Sequence, residues 1–139
     1  MLFCLCVTVP MEAQDWLDDL TAAENLAAQS DKKILLVFSG SDWCGPCKKL
    51  EQEVWQTEAF QKYASKNLVL VKADFPRKKA NRLSEYRQTK NNELAGKYNP
   101  QGYFPLVVVM DAEGKLLGKT GYKSFGPDEY IQHLESFKL

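Results

Sequence analysis

Residues 34–54 read ILLVFSGSDWCGPCKKLEQEV. The run Ile34–Phe38 is apolar without a break, the pattern of a strand buried on both faces at the centre of an α/β sheet. Beyond Cys44-Gly45-Pro46-Cys47, the residues Cys47, Leu50 and Val54 recur at helical spacing while Lys48, Lys49, Glu51 and Gln52 fall elsewhere, so the motif opens an amphipathic helix. Two cysteines at a strand-to-helix junction admit three readings: a redox couple, half of a metal site, or a structural staple.

Counting ligands disfavours the metal. A zinc site takes about four ligands, and outside the motif the chain offers only Cys4, Cys6 and one histidine, His133, read as a partly exposed residue of the final helix. A staple between Cys44 and Cys47 closes a very short loop and adds little entropic stabilisation. The redox reading has a physical basis. A cysteine at a helix N-terminus lies beside unsatisfied backbone N–H groups and the positive end of the macrodipole, both of which favour thiolate. Cys47, about one turn later, is near enough to bond that sulfur, and Pro46 stiffens the intervening loop. Cys44 is thus suited to attack a disulfide and Cys47 to resolve the mixed disulfide, with Trp43 shielding one side of the pair.

The rest of the chain bounds this reading. At 139 residues, 45% hydrophobic and 26% charged, it has the size of one globular domain with its own core. Its 18 basic and 18 acidic side chains give a formal net charge of +0, which points neither to nucleic acid nor to an anionic membrane surface. LFCLCVTV, residues 2–9, is too short to span a bilayer and is followed by PMEAQ, where Ala13 suits a cleavage point. Residues 1–13 therefore read as a truncated export signal lacking a basic start, the first Lys or Arg being Lys32, with the domain proper at 14–139. Export, to a bacterial periplasm or cell envelope, removes Cys4 and Cys6. The alternative is a cytoplasmic protein with a disordered or core-docked N-terminus.

Further elements follow by pattern. TAAE, Thr21–Glu24, has the form of a capping box for a helix to about Gln29. Thr57 caps a helical stretch through Asn67, and LVLVKAD, 68–74, is a second strand. Residues 75–90 carry Arg77, Lys78, Lys79, Arg82, Arg87 and Lys90 against Glu85 alone. They read as a solvated insertion, with a docking patch for an acidic partner as the alternative. A short helix over 91–99, a strand over 105–110, a turn at 111–114 and a strand over 115–121 precede a last helix from Pro127. Its Tyr130, Leu134 and Phe137 share a face.

DWCGPCKK after an apolar strand, Phe104-Pro105 opening a later strand and GKLLGKTG beyond it together resemble the thioredoxin family. The segment around the motif is similar to exported bacterial thioredoxin-like proteins akin to the C-terminal domain of the membrane thiol:disulfide interchange protein. The resemblance implies an α/β thioredoxin fold, a mixed sheet of about four strands flanked by helices with an N-terminal helix. It implies an exposed nucleophile at Cys44, a buried resolving thiol at Cys47, and a cis bond before Pro105 that turns the Phe104 backbone toward an extended substrate. It also implies a groove completed by Gly121 and Tyr122, with Trp43, Gly45 and Pro46 beside the cysteines. The implied activity is reduction of protein disulfides by a monomer, with no bound cofactor other than the Cys44–Cys47 couple. Electrons come from a redox protein, membrane-bound in one version. Disulfide isomerisation or oxidation, or client binding without turnover, are the alternatives. Gly45-Pro46 resembles the reducing members, whose potentials lie near about −270 mV.

One departure stands out. Thioredoxins carry a buried aspartate six residues before the first cysteine, assisting proton transfer from the resolving thiol; here that position is Phe38. Asp42, Asp74 or water are the substitutes to be considered.

Overall fold

A computed structural model describes residues 16–138. The candidate signal at 1–13, with Cys4 and Cys6, lies outside the described residues.

Strand β1 (Lys33–Ser39) runs through the centre of a four-stranded sheet of order β2-β1-β3-β4. Strand β2 (Leu68–Asp74) pairs with it in parallel, β3 (Leu106–Met110) pairs antiparallel on its other side, and β4 (Leu116–Thr120) closes the edge against β3. The β3–β4 turn is built by Asp111, whose carboxylate accepts from the N–H groups of Glu113 (2.9 Å) and Lys115 (2.8 Å), with Gly114 at φ 84°. A left-handed φ of this kind is open to glycine at little cost.

Alternation along the strands divides the core. Leu35, Val37, Leu68, Leu70, Val107 and Val109 face helices α2 (Gly45–Leu50), α3 (Glu58–Asn67) and α5 (Pro127–Glu135). There Trp55 packs on Phe60 and Tyr130 with ring centroids 4.7 and 5.4 Å apart. Each such pair contributes about 0.5–1.5 kcal/mol beyond area burial. Ile34, Leu36, Phe38, Val69, Val71, Leu106 and Val108 face α1 (Leu20–Ser30) and α4 (Glu85–Tyr98).

Three boundaries differ from the pattern. Helix α1 begins at Leu20 because Asp19, not Thr21, caps it, its carboxylate accepting from Thr21 N–H (2.9 Å) and Ala22 N–H (3.4 Å). The helix opened by Cys44 ends in a π-turn, Glu51–Trp55, before Thr57 caps α3. Helix α4 starts at Glu85, so the last six residues of the expected insertion, 85–90, are helical. Its core-facing row places polar Asn91 where an apolar residue would have marked the period. Asn91 is 1% exposed and its amide donates to the Asp74 carbonyl at 3.0 Å, tying α4 to the end of β2.

Candidate active site

The described chain places Cys44 as N-cap of α2, where its sulfur accepts from Cys47 N–H at 3.3 Å and Pro46 occupies the first turn. Cys44 and Cys47 are joined in a disulfide, with Cα atoms 5.2 Å apart. The resemblance implied an exposed Cys44. Instead Cys44 is 4% and Cys47 5% exposed in the disulfide-bonded form.

The segment leading to Cys44 is latched to the one following β2. Ser39 C=O accepts from Phe75 N–H (2.9 Å), and Asp74 accepts from Ser41 N–H (3.0 Å) and Ser41 Oγ (2.6 Å). Asp42 accepts from Arg77 N–H, Lys78 N–H and Asn81 Nδ2, each at 3.0 Å. Those donors, Arg77 N–H foremost and then the Asn81 amide, lower the Asp42 pKa from 3.8 to about 2. Trp43 Nε1 donates to the Phe75 carbonyl at 2.7 Å, and the Trp43 ring lies edge-on to Phe104 at 5.3 Å. Gly40 makes room for that ring: a Cβ there would collide with the indole.

On the other side, Pro46, Phe104, Pro105, Gly121 and Tyr122 line one cleft, together with Tyr103 and Thr120. The Phe104–Pro105 bond is cis. Asn99, buried, holds the preceding turn by accepting from Tyr103 N–H (2.9 Å) and donating to Tyr103 C=O (2.8 Å). Gly121 approaches so closely that an added Cβ would lie 3.3 Å from the Pro105 carbonyl. Its own carbonyl accepts from Tyr130 Oη at 2.8 Å. Burial raises the Tyr130 pKa, keeping that hydroxyl a donor. Tyr122 Oη donates to Glu53 at 2.7 Å, a bond that raises the phenol's pKa. Gly45 opens α2 with nothing packed over its Cα. His133 is partly exposed and pairs with Thr120 Oγ1 at 2.7 Å.

The proton question takes a different form. Phe38 is 0% exposed and pairs across the sheet with Ala73 and Leu106, on the face packed by α1 and α4, whereas α2 covers the opposite face. Phe38, Phe75, Phe104 and Trp43 form a chain of ring contacts at 6.4, 5.4 and 5.3 Å, so position 38 supports the aromatic wall of the site. Asp42 is too acidic to accept a proton readily, and both oxygens of Asp74 are engaged by Ser41. On the face that carries α2 is a half-buried ion pair, Lys72–Glu51 at 3.1 Å. Glu51 stands four residues after Cys47, a spacing that puts the two side chains on one side of the helix. The reading of the strand by hydrophobicity alone passed over this pair.

A four-stranded mixed sheet flanked by helices, a dithiol motif at a helix start and a cis-proline wall define the thioredoxin class. A thioredoxin-like family model matches residues 15–112, and the chain belongs to that family. It is similar to the disulfide bond reductase DsbH of Chlamydia pneumoniae, with 39% identity over 108 residues covering 78% of this chain and 63% of that protein. It is also similar to the thioredoxin-related protein DsbJ of the same organism, 28% identical over 80% of this chain and 30% of that protein. The chain thus spans less than two thirds of the length of either relative. A solved structure of a DsbH oxidoreductase superimposes with a TM-score of 0.80 at 34% identity, covering 95% of this chain and 90% of that one.

Proposed function

We propose that this protein reduces disulfides in other polypeptides by exchange through Cys44 and Cys47. The observation that carries the reading is the Cys44–Cys47 disulfide at the start of α2, bordered by the cleft of Pro46, Phe104, Pro105, Gly121 and Tyr122. The resemblance to proteins named disulfide bond reductase and DsbH oxidoreductase supports the direction of transfer.

In the reduced protein, Cys44 thiolate attacks one sulfur of the client disulfide, forming a mixed disulfide and releasing the other client sulfur as thiolate. Cys47 then gives up its proton and attacks Cys44 Sγ. This forms the intramolecular disulfide seen here and releases the second client sulfur, so two electrons leave the protein and reduce one client disulfide. The N–H of Cys47, which points at Cys44 Sγ, stabilises that sulfur as thiolate. The Cys47 proton passes to solvent as its sulfur attacks. The client backbone lies along Phe104 in extended form. A dithiol redox protein returns the couple to its reduced state, and no other cofactor takes part. The protein works outside the cytoplasm, a reading supported by the apolar run LFCLCVTV at residues 2–9.

A Cys47→Ser variant expressed from the native gene tests the assignment. It accumulates mixed disulfides on Cys44 that run as reducible adducts in gel electrophoresis, while Cys44→Ser does not. Equal trapping by both variants would refute the division of labour between the thiols.

A further inference from the structure

We propose that the cleft beyond Trp43 binds an acidic stretch of the client polypeptide beside its disulfide, a proposal that rests on the reductase reading and names the substrate class of that site. Two clefts share Pro76, Arg77 and Gln88 and so form one channel. It begins at Trp43 and Phe104, the wall of the dithiol site, and ends among Lys78, Lys79 and Arg82.

Charge and geometry argue together. Arg77, Lys78, Lys79 and Arg82 are exposed along this channel, and Glu85 is the one carboxylate in its lining. The ion pairs among the described residues are Lys72–Glu51, Arg87–Asp18 and Lys90–Glu93, so none of those four cations is in one, and Asp42, bound to the loop backbone, offsets part of the charge of Lys78 alone. The chain carries +0 net charge, so this is a local concentration of positive charge rather than a general basicity.

The loop is also held in place. The three hydrogen bonds to Asp42 fix its backbone two residues from Cys44, and the Arg77 guanidinium lies over the Trp43 ring, 3.7 Å from its centroid. A stacked guanidinium keeps its N–H edge free for a carboxylate. A merely solvated charge run would have neither the pinned backbone nor a cleft that reaches Trp43, the residue before Cys44. Cations lining a concave surface focus their field on an approaching anion and raise its encounter rate. The concave shape, ending at Trp43 and Phe104, suits a polypeptide better than a flat anionic membrane.

The test uses the full chain and peptides that share one intramolecular disulfide, flanked on either side by glutamates, glutamines or lysines. At low ionic strength kcat/KM for the glutamate peptide exceeds that for the glutamine peptide by about tenfold, as steering of this kind allows, and high salt removes the difference. The double variant Lys79→Glu, Arg82→Glu reverses the order and favours the lysine peptide, a gain that a misfolded protein cannot produce. Equal rates on all three peptides overturn the docking proposal while leaving the reductase reading intact. Equal rates together with sedimentation on phosphatidylserine vesicles assign the basic channel to a membrane surface and likewise overturn it. Failure to reduce any peptide removes the reductase reading and this proposal with it.

Discussion

The two walls beside Cys44 are built by different physics. The wall of Phe104, Pro105, Gly121 and Tyr122 is apolar and held by close backbone approach, with Gly121 against the Pro105 carbonyl and Tyr130 beneath. The wall of residues 75–82 is basic, and one partly exposed carboxylate, Asp42, holds its backbone. Packing makes the first wall the less sensitive of the two to pH and salt, its ionisable partners being Glu53 on the Tyr122 hydroxyl and His133 on Thr120. Hydrogen bonding to an ionised group makes the second sensitive to both. A groove of this kind can keep a constant grip on client backbone while varying its grip on client charge.

Where the walls meet, they share a buried aromatic base, and damage there has the largest expected effect. Phe38→Asp buries an unpaired carboxylate against Phe75 and removes a fully buried ring. A loss of about 4 kcal/mol or more is expected, read from urea denaturation. A variant of near-native stability that reduced client disulfides faster would mean that position 38 serves the thiols directly.

The apolar wall gives way by less. Tyr130→Phe deletes the bond to the Gly121 carbonyl at a cost of about 1 kcal/mol. It also raises KM for disulfide peptides while leaving kcat nearly constant, because the Gly121–Tyr122 segment loosens. An unchanged KM would separate that segment from client binding.

The basic wall should show the smallest effect and the clearest pH signature. The folded pKa of Asp42 lies near 2, below its ordinary 3.8, so its contribution to stability is present above about 4 and is lost as pH falls through about 2. Asp42→Asn is therefore less stable than the parent at pH 7, and the gap closes between about pH 4 and 2. Thermal melts at pH 7 and in that acid range compare the two proteins. A gap that stays constant with pH would show that the amide replaces the carboxylate fully.

These contrasts mark how much of the molecule could be read in advance. Unbroken apolar strands and the 3.6-residue period of Cys47, Leu50 and Val54 were legible because each records burial in local order. The start of α1 was misplaced because two capping residues, Asp19 and Thr21, stand close together and only one closes the helix. Helix α4 was read too short because a core-facing position is the polar Asn91, whose Nδ2 donates to a strand carbonyl, instead of an apolar residue.

The sequence by itself determined the dithiol motif, its place between a buried strand and a helix, and the family that this combination marks. Tertiary structure decided which residues surround the dithiol. Phe38 supports an aromatic wall because strand pairing fixes the face it presents. Glu51 and Lys72 meet across 21 residues, and Asp42 reaches Arg77 across 35. Hydrogen bonds and ion pairs between distant residues leave no period in the chain, whereas burial on a strand or helix does.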